Sequence, residues 1–507
     1  MNQKKVGVLI SYLNLAMGMV SNVFLVPLLI ASLGDVDYSL YKVMQSFAGP
    51  LSMFHLGIST IVTRSVVKCA TCEDYMEKDK KNTLALSLLA SVVMSLFVML
   101  AGIGMYFLLP SMYGNTYTEA GIAVGQKLFL LFVASTVFHM LTDAFSGCIV
   151  GHEHFVVSSM LPLMKTALKI ILYIVLLKCG MGVVWVVVVD LILSVSTFSI
   201  TAWYAMFILR ERPRLYRFDK RQMMEILSFG GAILLQTFVN QVNNNVDTMI
   251  LGMYIEDKMV ITMYSSALAI YGIYNSLISV VTNFFLPRAT KLVAQKASGK
   301  ELTDFVIHPG RYQAIVAVAC VFGFALFGRN FISIWIGTKY MDAYWIILML
   351  MIPVTVPLVE NAMIAVLDAT LKRIYRSAVL VVMAVINVIA SVLMVQVLGF
   401  WGAAIGTVAS LVIGHGLLMN IYYAKVFHIE IGRMFGAIFK GILSAGLATT
   451  IFCLPLALFL PDTWLCFAVK CALFLIVYMI FLWLWGFNSS ERSMLKSILG
   501  KLLRAKT

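Results

Sequence analysis

A chain of 507 residues that is 61% hydrophobic and only 12% charged, with a mean hydropathy of +0.93, lies far above the roughly 45–50% apolar content of soluble domains. This excludes a soluble enzyme, and it changes the meaning of the net charge of +14, which in a soluble protein would suggest nucleic acid and here depends on where the charges fall. The eight cysteines are scattered and exclude a disulfide framework; C-A-T-C at Cys69–Cys72, with no second pair, reads as a plain loop.

Apolar runs of about 20 or more residues recur from Val6 to Phe487, each long enough to cross a hydrocarbon core of about 30 Å as a helix. The sequence predicts fourteen spans: 6–31, 38–63, 83–109, 121–149, 156–177, 182–209, 223–251, 262–287, 303–328, 343–368, 377–398, 400–424, 435–459 and 465–487. The first begins after Lys4 and Lys5, is longer than a signal-peptide core and lacks a cleavage pattern, so it reads as a retained helix. With a cytoplasmic N-terminus, the inside connections include RERPRLYRFDKR (210–221), RATKLVAQKASGK (288–300), LKRIYR (371–376) and the basic tail. The outside connections (YGNTYTEAG, CGMG, IEDK, GTKYMD, LGF, PDTW) carry little charge. The positive-inside rule therefore places both termini in the cytoplasm.

The chain also repeats itself loosely. The first span ends at Leu33-Gly34 and the seventh at Leu251-Gly252, 218 positions later, and the glycine-bearing connections at Gly180/Gly182 and Gly399/Gly402 have nearly the same offset. Two like halves are implied. They give an N-terminal six-helix half at 1–209, a basic cytoplasmic linker at 210–222, a C-terminal six-helix half at 223–424, and two extra helices with a basic tail at 425–507. Transporters are often built this way, with the substrate path between the repeats.

Several motifs resemble one family. They are Pro27 near the end of the first span, L-G-x-x-x-Y (Leu33, Gly34, Tyr38), Leu56-Gly57 before Arg64, G-x-x-x-F (Gly151 to Phe155), N-x-x-D-x-x-x-L-G (Asn244, Asp247, Leu251, Gly252) and L-G-x-x-G before the twelfth span. In this order they resemble the polysaccharide transporter branch of the multidrug/oligosaccharidyl-lipid/polysaccharide exporter superfamily, across essentially the whole chain. Two positions depart from it: His55 stands where relatives often have an acidic or amide residue, and Ser39 where they often have glycine. The resemblance implies an all-α polytopic membrane protein of the MATE-like fold. It also implies a flippase for undecaprenyl-pyrophosphate-linked oligosaccharide in the bacterial plasma (inner) membrane, serving O-antigen, capsule or exopolysaccharide assembly. The partners it implies are membrane lipid, a polysaccharide polymerase and a chain-length regulator.

The polar residues inside the spans are the candidate site. In the seventh span, Gln236, Asn240, Asn243 and Asp247 fall within about 60° of one another, and Thr237, Gln241, Asn244, Asn245 and Thr248 widen that face to about 200°. Unsatisfied amides in hydrocarbon cost several kcal/mol each, so this face must meet protein or water. Inter-helix hydrogen bonding is one reading. So many polar groups fit a wet cavity better, with amides able to bind sugar hydroxyls. Asn14, Gly18, Ser21 and Asn22 form a milder stripe on the first span, the expected facing wall, or else a close-packing surface.

Lys165 and Lys169 sit one turn apart deep in the fifth span, too far from its ends to snorkel easily. They suit a pyrophosphate, or pair with Asp143 or Asp190. Glu360 follows Pro353 and Pro357 in the tenth span. With Asp247 it is the candidate for proton or ion coupling, structural hydrogen bonding being the alternative. His139 and His415 are possible relays, more often packing residues. H-E-H at His152–His154 lacks a third ligand and makes a poor zinc site. No P-loop and no catalytic constellation is present, so no cofactor is expected and transport would draw on an ion gradient or membrane potential.

Three other functions compete. A cation-coupled multidrug exporter would be expected to carry an acidic residue in the first span, and none lies between Val6 and Gly34. A lipid II flippase would be expected to line its cavity with arginines rather than lysines. A membrane polysaccharide polymerase would be expected to have a large external loop. The favoured expectation is a flippase in which the head group crosses a polar cavity between rocking halves while the polyprenyl tail stays in lipid.

Overall fold

Long apolar runs with few breakers leave the backbone one way to satisfy itself in lipid, the helix, and every regular element of the computed structural model is helical, with no strand among the described residues. The structure describes residues 3–52, 57–71, 76–218, 220–279, 285–370, 373–489 and 491–493. His55, Leu56, Cys72 and the basic tail from 494 lie outside them, as does the side chain of Gln236.

The helices run in order as α1 (Gln3–Leu51), α2 (Ile58–Thr71), α3 (Glu77–Tyr113), α4 (Glu119–Gly151), α5 (Phe155–Lys178), α6 (Val183–Trp203), α7 (Lys220–Tyr254), α8 (Lys258–Ser279) and α9 (Leu286–Ala294). There follow α10 (Gly299–Trp335), α11 (Ala343–Val359), α12 (Ala362–Ala369), α13 (Arg373–Leu398), α14 (Phe400–Leu411), α15 (Asn420–Phe427), α16 (Ile431–Phe439), α17 (Ile442–Phe459) and α18 (Trp464–Phe481). Wider π turns interrupt the pattern at Tyr204–Ile208, Val412–Met419 and Leu482–Gly486.

Ten described helices are long and apolar enough to cross a membrane, eleven when the bent pair α11 and α12 counts as one span. The difference from fourteen has identifiable places. The first expected span and the start of the second are counted together within α1, although Gly34 separates them with a non-helical backbone, while α7 and α8, at the seventh and eighth expected positions, fall outside that count. A straight helix of 49 residues would be about 74 Å long, more than twice a hydrocarbon core of about 30 Å. The chain instead kinks at Gly34, whose φ of 74° and ψ of 175° lie in a region open almost only to glycine. Large apolar side chains such as Phe107, Val397 and Phe459 stand exposed on the helices, as lipid-facing surfaces do.

The chain forms two compact units: Met1–Ser265 with Ser391–Ala403, and Ser266–Ala390 with Ala404–Thr507. In the first, α1 packs along α5 and α7, and α4 packs against α2, α3 and α6. Ser11 bonds Ser159 at 2.8 Å, and a Cβ on Gly7 would lie 2.6 Å from the Cβ of Phe155. Both pairs are 148 positions apart, so α1 and α5 run parallel in constant register. At one end of this unit Glu211, in the basic linker, accepts hydrogen bonds from Lys80 at 2.5 Å and from His152 at 2.8 Å, while Asn82 Oδ1 accepts from the backbone of Tyr216 and Arg217. The linker is thus stitched to α3 and to the H-E-H loop.

In the second unit α10 contacts α11, α16, α17 and α18. Its anchor is Arg311, 1% exposed, which meets both carboxylate oxygens of Glu491 at 2.7 and 3.1 Å and also donates to the carbonyls of Ala437 at 2.7 Å and Gly486 at 2.6 Å. A buried guanidinium is tolerable only when its donors are used in this way.

Candidate functional site

The expected lysine pair lies on α5 facing α6. Lys169 pairs with Asp190 Oδ1 at 2.9 Å and sits over the Tyr173 ring at 5.0 Å. Tyr173 donates to Asp190 Oδ2 at 2.8 Å. Lys165 donates to Ser194 at 3.2 Å, and Ser194 donates to the Asp190 carbonyl at 2.8 Å. A third cation, Lys42 of α1, lies over the rings of Tyr38 and Tyr41 at 5.7 and 5.5 Å and acts electrostatically on Lys169 and Asp190. Three half-buried lysines thus feel one half-buried carboxylate, Lys169 in direct contact with it and Lys42 and Lys165 electrostatically. Such an excess of positive charge, with its donors held by tyrosine and serine, is suited to a compact anion.

Sequence reasoning missed Lys42 because it stands four residues into the second expected span, where a lysine ordinarily snorkels. The aromatic residues at Tyr38 and Tyr41, one turn and one residue away, are the signal that could have found it.

The polar face of α7 divides in two. Thr237, Asn240, Gln241, Asn243 and Asn245 are half-buried and Asn244 is exposed. Asn245 donates back to the Gln241 carbonyl at 2.7 Å and to its side chain at 3.2 Å, and lies against Gly49 of α1, where an added Cβ would come within 2.8 Å of it. Asp247, 3% exposed, and Thr248 are buried; Tyr264 of α8 donates to Asp247 Oδ2 at 2.6 Å. The end of α7 is further tied to α3 and the turn after it, with Tyr113 donating to the Met249 carbonyl and Thr116 to that of Gly252. Exposed amides on a membrane helix need water or a polar ligand.

On α1, Asn14 is half-buried and Asn22 exposed. A Cβ on Gly18 would meet nothing within 4 Å, so close packing does not explain that glycine.

Glu360, 3% exposed, belongs to the second unit and Asp247 to the first. It occupies the break between α11 and α12, which bend by 44°, and its Oε1 accepts from Asn420 at 2.8 Å. His415 is half-buried in the π turn before α15, with its carbonyl accepting from Asn420 at 3.0 Å. His139 is exposed on α4. In the H-E-H loop, His152 takes Glu211 and His154 takes the Tyr204 hydroxyl at 2.7 Å. The Arg311 anchor also went unseen, its partners being up to 180 positions away.

A family model described as polysaccharide biosynthesis protein matches residues 4–294. No curated protein sequence matches the chain. Among solved structures, lipid II flippase MurJ in an inward closed conformation has a TM-score of 0.72 at 16% identity, covering 94% of this chain and 97% of that one. An inward-facing multidrug resistance MATE family transporter of the MOP superfamily has a TM-score of 0.65 at 13% identity, covering 83% and 99%. The eukaryotic MATE transporter AtDTX14 has a TM-score of 0.59 at 14% identity, covering 86% and 97%. At these identities the likeness is one of fold.

Proposed function

This chain belongs to the family of polysaccharide biosynthesis proteins, with the membrane fold of MOP-superfamily transporters, and from that premise we propose that it flips polyprenyl-pyrophosphate-linked oligosaccharide across the bacterial plasma membrane for surface polysaccharide assembly. The observation that carries the reading is the cluster of Lys42, Lys165 and Lys169 around the single carboxylate of Asp190. A pyrophosphate brings more than one negative charge, and it can take the place of Asp190 against Lys169 without leaving an uncompensated lysine in an apolar setting. Asn240, Gln241, Asn243 and Asn244, together with Asn14 and Asn22, supply donors and acceptors for sugar hydroxyls along the first unit, while the polyprenyl chain stays in lipid. These amides specify no particular glycan.

Alternating access is driven by an ion gradient or by membrane potential, with Asp247 and Glu360 as the carboxylates for coupling. The termini face the cytoplasm, and a polymerase and a chain-length regulator are the partners that would consume the product. Lipid II is the rival cargo, suggested by the fold shared with MurJ.

The test is binding by native mass spectrometry of the detergent-purified protein with undecaprenyl-pyrophosphate oligosaccharide, undecaprenyl monophosphate, free oligosaccharide and lipid II. The reading expects preference for the pyrophosphate-linked oligosaccharide and loss of that preference in Lys165→Ala/Lys169→Ala. Equal binding of the free sugar, or no effect of the double substitution, would contradict it.

A further inference from the structure

The segment that joins α6 to α7 reads RERPRLYRF (210–218), and the proposed transport makes no use of it. Its backbone is nevertheless held at several points. The Glu211 N–H donates to the carbonyl of Ala205 in the π turn at 2.9 Å, and the Arg214 N–H to that of Lys81 at 3.4 Å. Asn82 Oδ1 takes the N–H groups of Tyr216 and Arg217 at 3.0 and 3.2 Å. The Glu211 side chain, 3% exposed, turns inward to Lys80 and His152.

Exposure alternates along the start of the segment. Arg210, Arg212 and Arg214 are exposed, with Glu211 buried and Pro213 half-buried between them, and Arg217 is exposed further on. None of these four arginines meets a carboxylate among the described residues, since the acid between them is already taken by Lys80 and His152; Arg212 lies over the Phe207 ring at 5.7 Å. Leu215, Tyr216 and Phe218 stand exposed among the charges, as do Trp203, Phe207 and Ile208 where α6 ends. Apolar side chains therefore continue from the end of a lipid-facing helix into the charged segment.

A topology signal needs only positive charge on one side, which mobile lysines supply equally well. It needs neither a buried acid that fixes the backbone nor guanidinium groups, whose planar fork binds a phosphate through two hydrogen bonds where an ammonium acts as a point charge. Like charges held near one another repel, and a bound anion removes that cost. Exposed aromatic and aliphatic side chains beside them suit the boundary between headgroups and acyl chains. A soluble phosphate would satisfy the arginines and leave the apolar groups in water, whereas a diacyl phospholipid satisfies both.

We propose that residues 210–218 form a docking surface for anionic phospholipid, with Arg212, Arg214 and Arg217 on headgroup phosphate and Leu215, Tyr216 and Phe218 at the level of the acyl chains. Glu211 is its positioning residue: it touches no lipid and fixes the segment so that the arginines stand outward. Lipid bound here ties the connection between α6 and α7 to the membrane surface.

The test is native mass spectrometry of the delipidated full-length protein in detergent, titrated with dioleoyl phosphatidylglycerol or with dioleoyl phosphatidylcholine, which has the same tails and no net charge. The parent is compared with Arg212→Gln/Arg214→Gln/Arg217→Gln, with the corresponding triple lysine variant, and with Glu211→Gln, each first checked for a single folded species by size exclusion. The parent should bind its first phosphatidylglycerol about tenfold or more tighter than phosphatidylcholine. An arginine near a lipid surface contributes roughly fivefold in affinity, so the triple glutamine variant should lose on the order of a hundredfold, down to the level of the other basic segments. The lysine variant keeps the net charge and should lose part of the affinity. Glu211→Gln keeps all four arginines and removes a negative charge, so attraction by charge alone predicts unchanged or tighter binding and a positioned surface predicts weaker binding. If the glutamine triple does not fold, the lysine triple and Glu211→Gln carry the test. Equal binding of the two lipids, or unchanged affinity in the folded glutamine triple or in Glu211→Gln, would overturn the proposal. So would displacement of phosphatidylglycerol by millimolar inorganic phosphate, which assigns the arginines to a soluble anion, or by poly-glutamate, which assigns them to an acidic protein. No lipid-linked sugar is present, so either outcome leaves the flippase reading to its own test.

Discussion

Tyr264 donates to a carboxylate oxygen of Asp247 at 2.6 Å inside the first unit. Removing the hydroxyl leaves a buried acceptor short of one partner, so Tyr264→Phe should cost about 1–3 kcal/mol, read as a lowered thermal transition in detergent. Glu211 responds to pH in the opposite sense from a buried isolated acid. Burial pushes its carboxyl up, but hydrogen bonds from His152 and Lys80 outweigh burial and hold it below the usual carboxylate range. A carboxylate with a depressed pKa stabilises the fold fully above its unfolded value of about 4.3 and loses that contribution as pH falls through the lower folded value. The stitching of the linker should therefore hold at neutral pH and fail only in strong acid. Hydrogen exchange of residues 210–218 against pH measures this, and Glu211→Gln should raise exchange at neutral pH and remove the acid step.

At this scale the sequence was legible where chemistry and depth coincided. Lys165 and Lys169 stand far from any span end, and no reading of them as surface residues was open. It was illegible where meaning came from a distant partner: Lys42 needs α5 and Arg311 needs Glu491, and neither pairing leaves a mark on the local pattern.

Among elements, the kink in α1 depends on one residue. Gly34 has open space where a Cβ would go, so the penalty of Gly34→Ala is purely conformational, about 1–3 kcal/mol. It should appear as reduced stability, and Ala at Gly18, which also faces open space but has no positive φ, should not reproduce it. The Arg311 anchor binds the carbonyls of Ala437 in α16 and of Gly486 beyond α18 to α10. Arg311→Ala strands the Glu491 carboxylate among apolar neighbours, for about 3–5 kcal/mol; protease nicking near Gly486 should rise in the variant, and the paired change Arg311→Met/Glu491→Leu should recover most of the loss. Gly34 was visible as a span end because a glycine before a polar connection is a strong stop signal. The break at Glu360 was half visible: Pro353 and Pro357 announced a bend, but it falls just beyond the second proline, where the carboxylate and Asn420 hold it.

For the whole molecule, fold class followed from hydropathy alone, because a chain this apolar has few ways to satisfy its backbone in lipid. Cargo did not. Amides and lysines fit a polar, cationic route but name no glycan, so the proposed substrate class rests on motif order and family membership. The most direct test is flipping of fluorescent undecaprenyl-pyrophosphate oligosaccharide in proteoliposomes, comparing the parent with Lys165→Ala/Lys169→Ala, with and without an ion gradient. The account predicts translocation by the parent, faster with the gradient, and its loss in the double variant; a folded parent that moves no lipid-linked sugar but exports organic cations would contradict it.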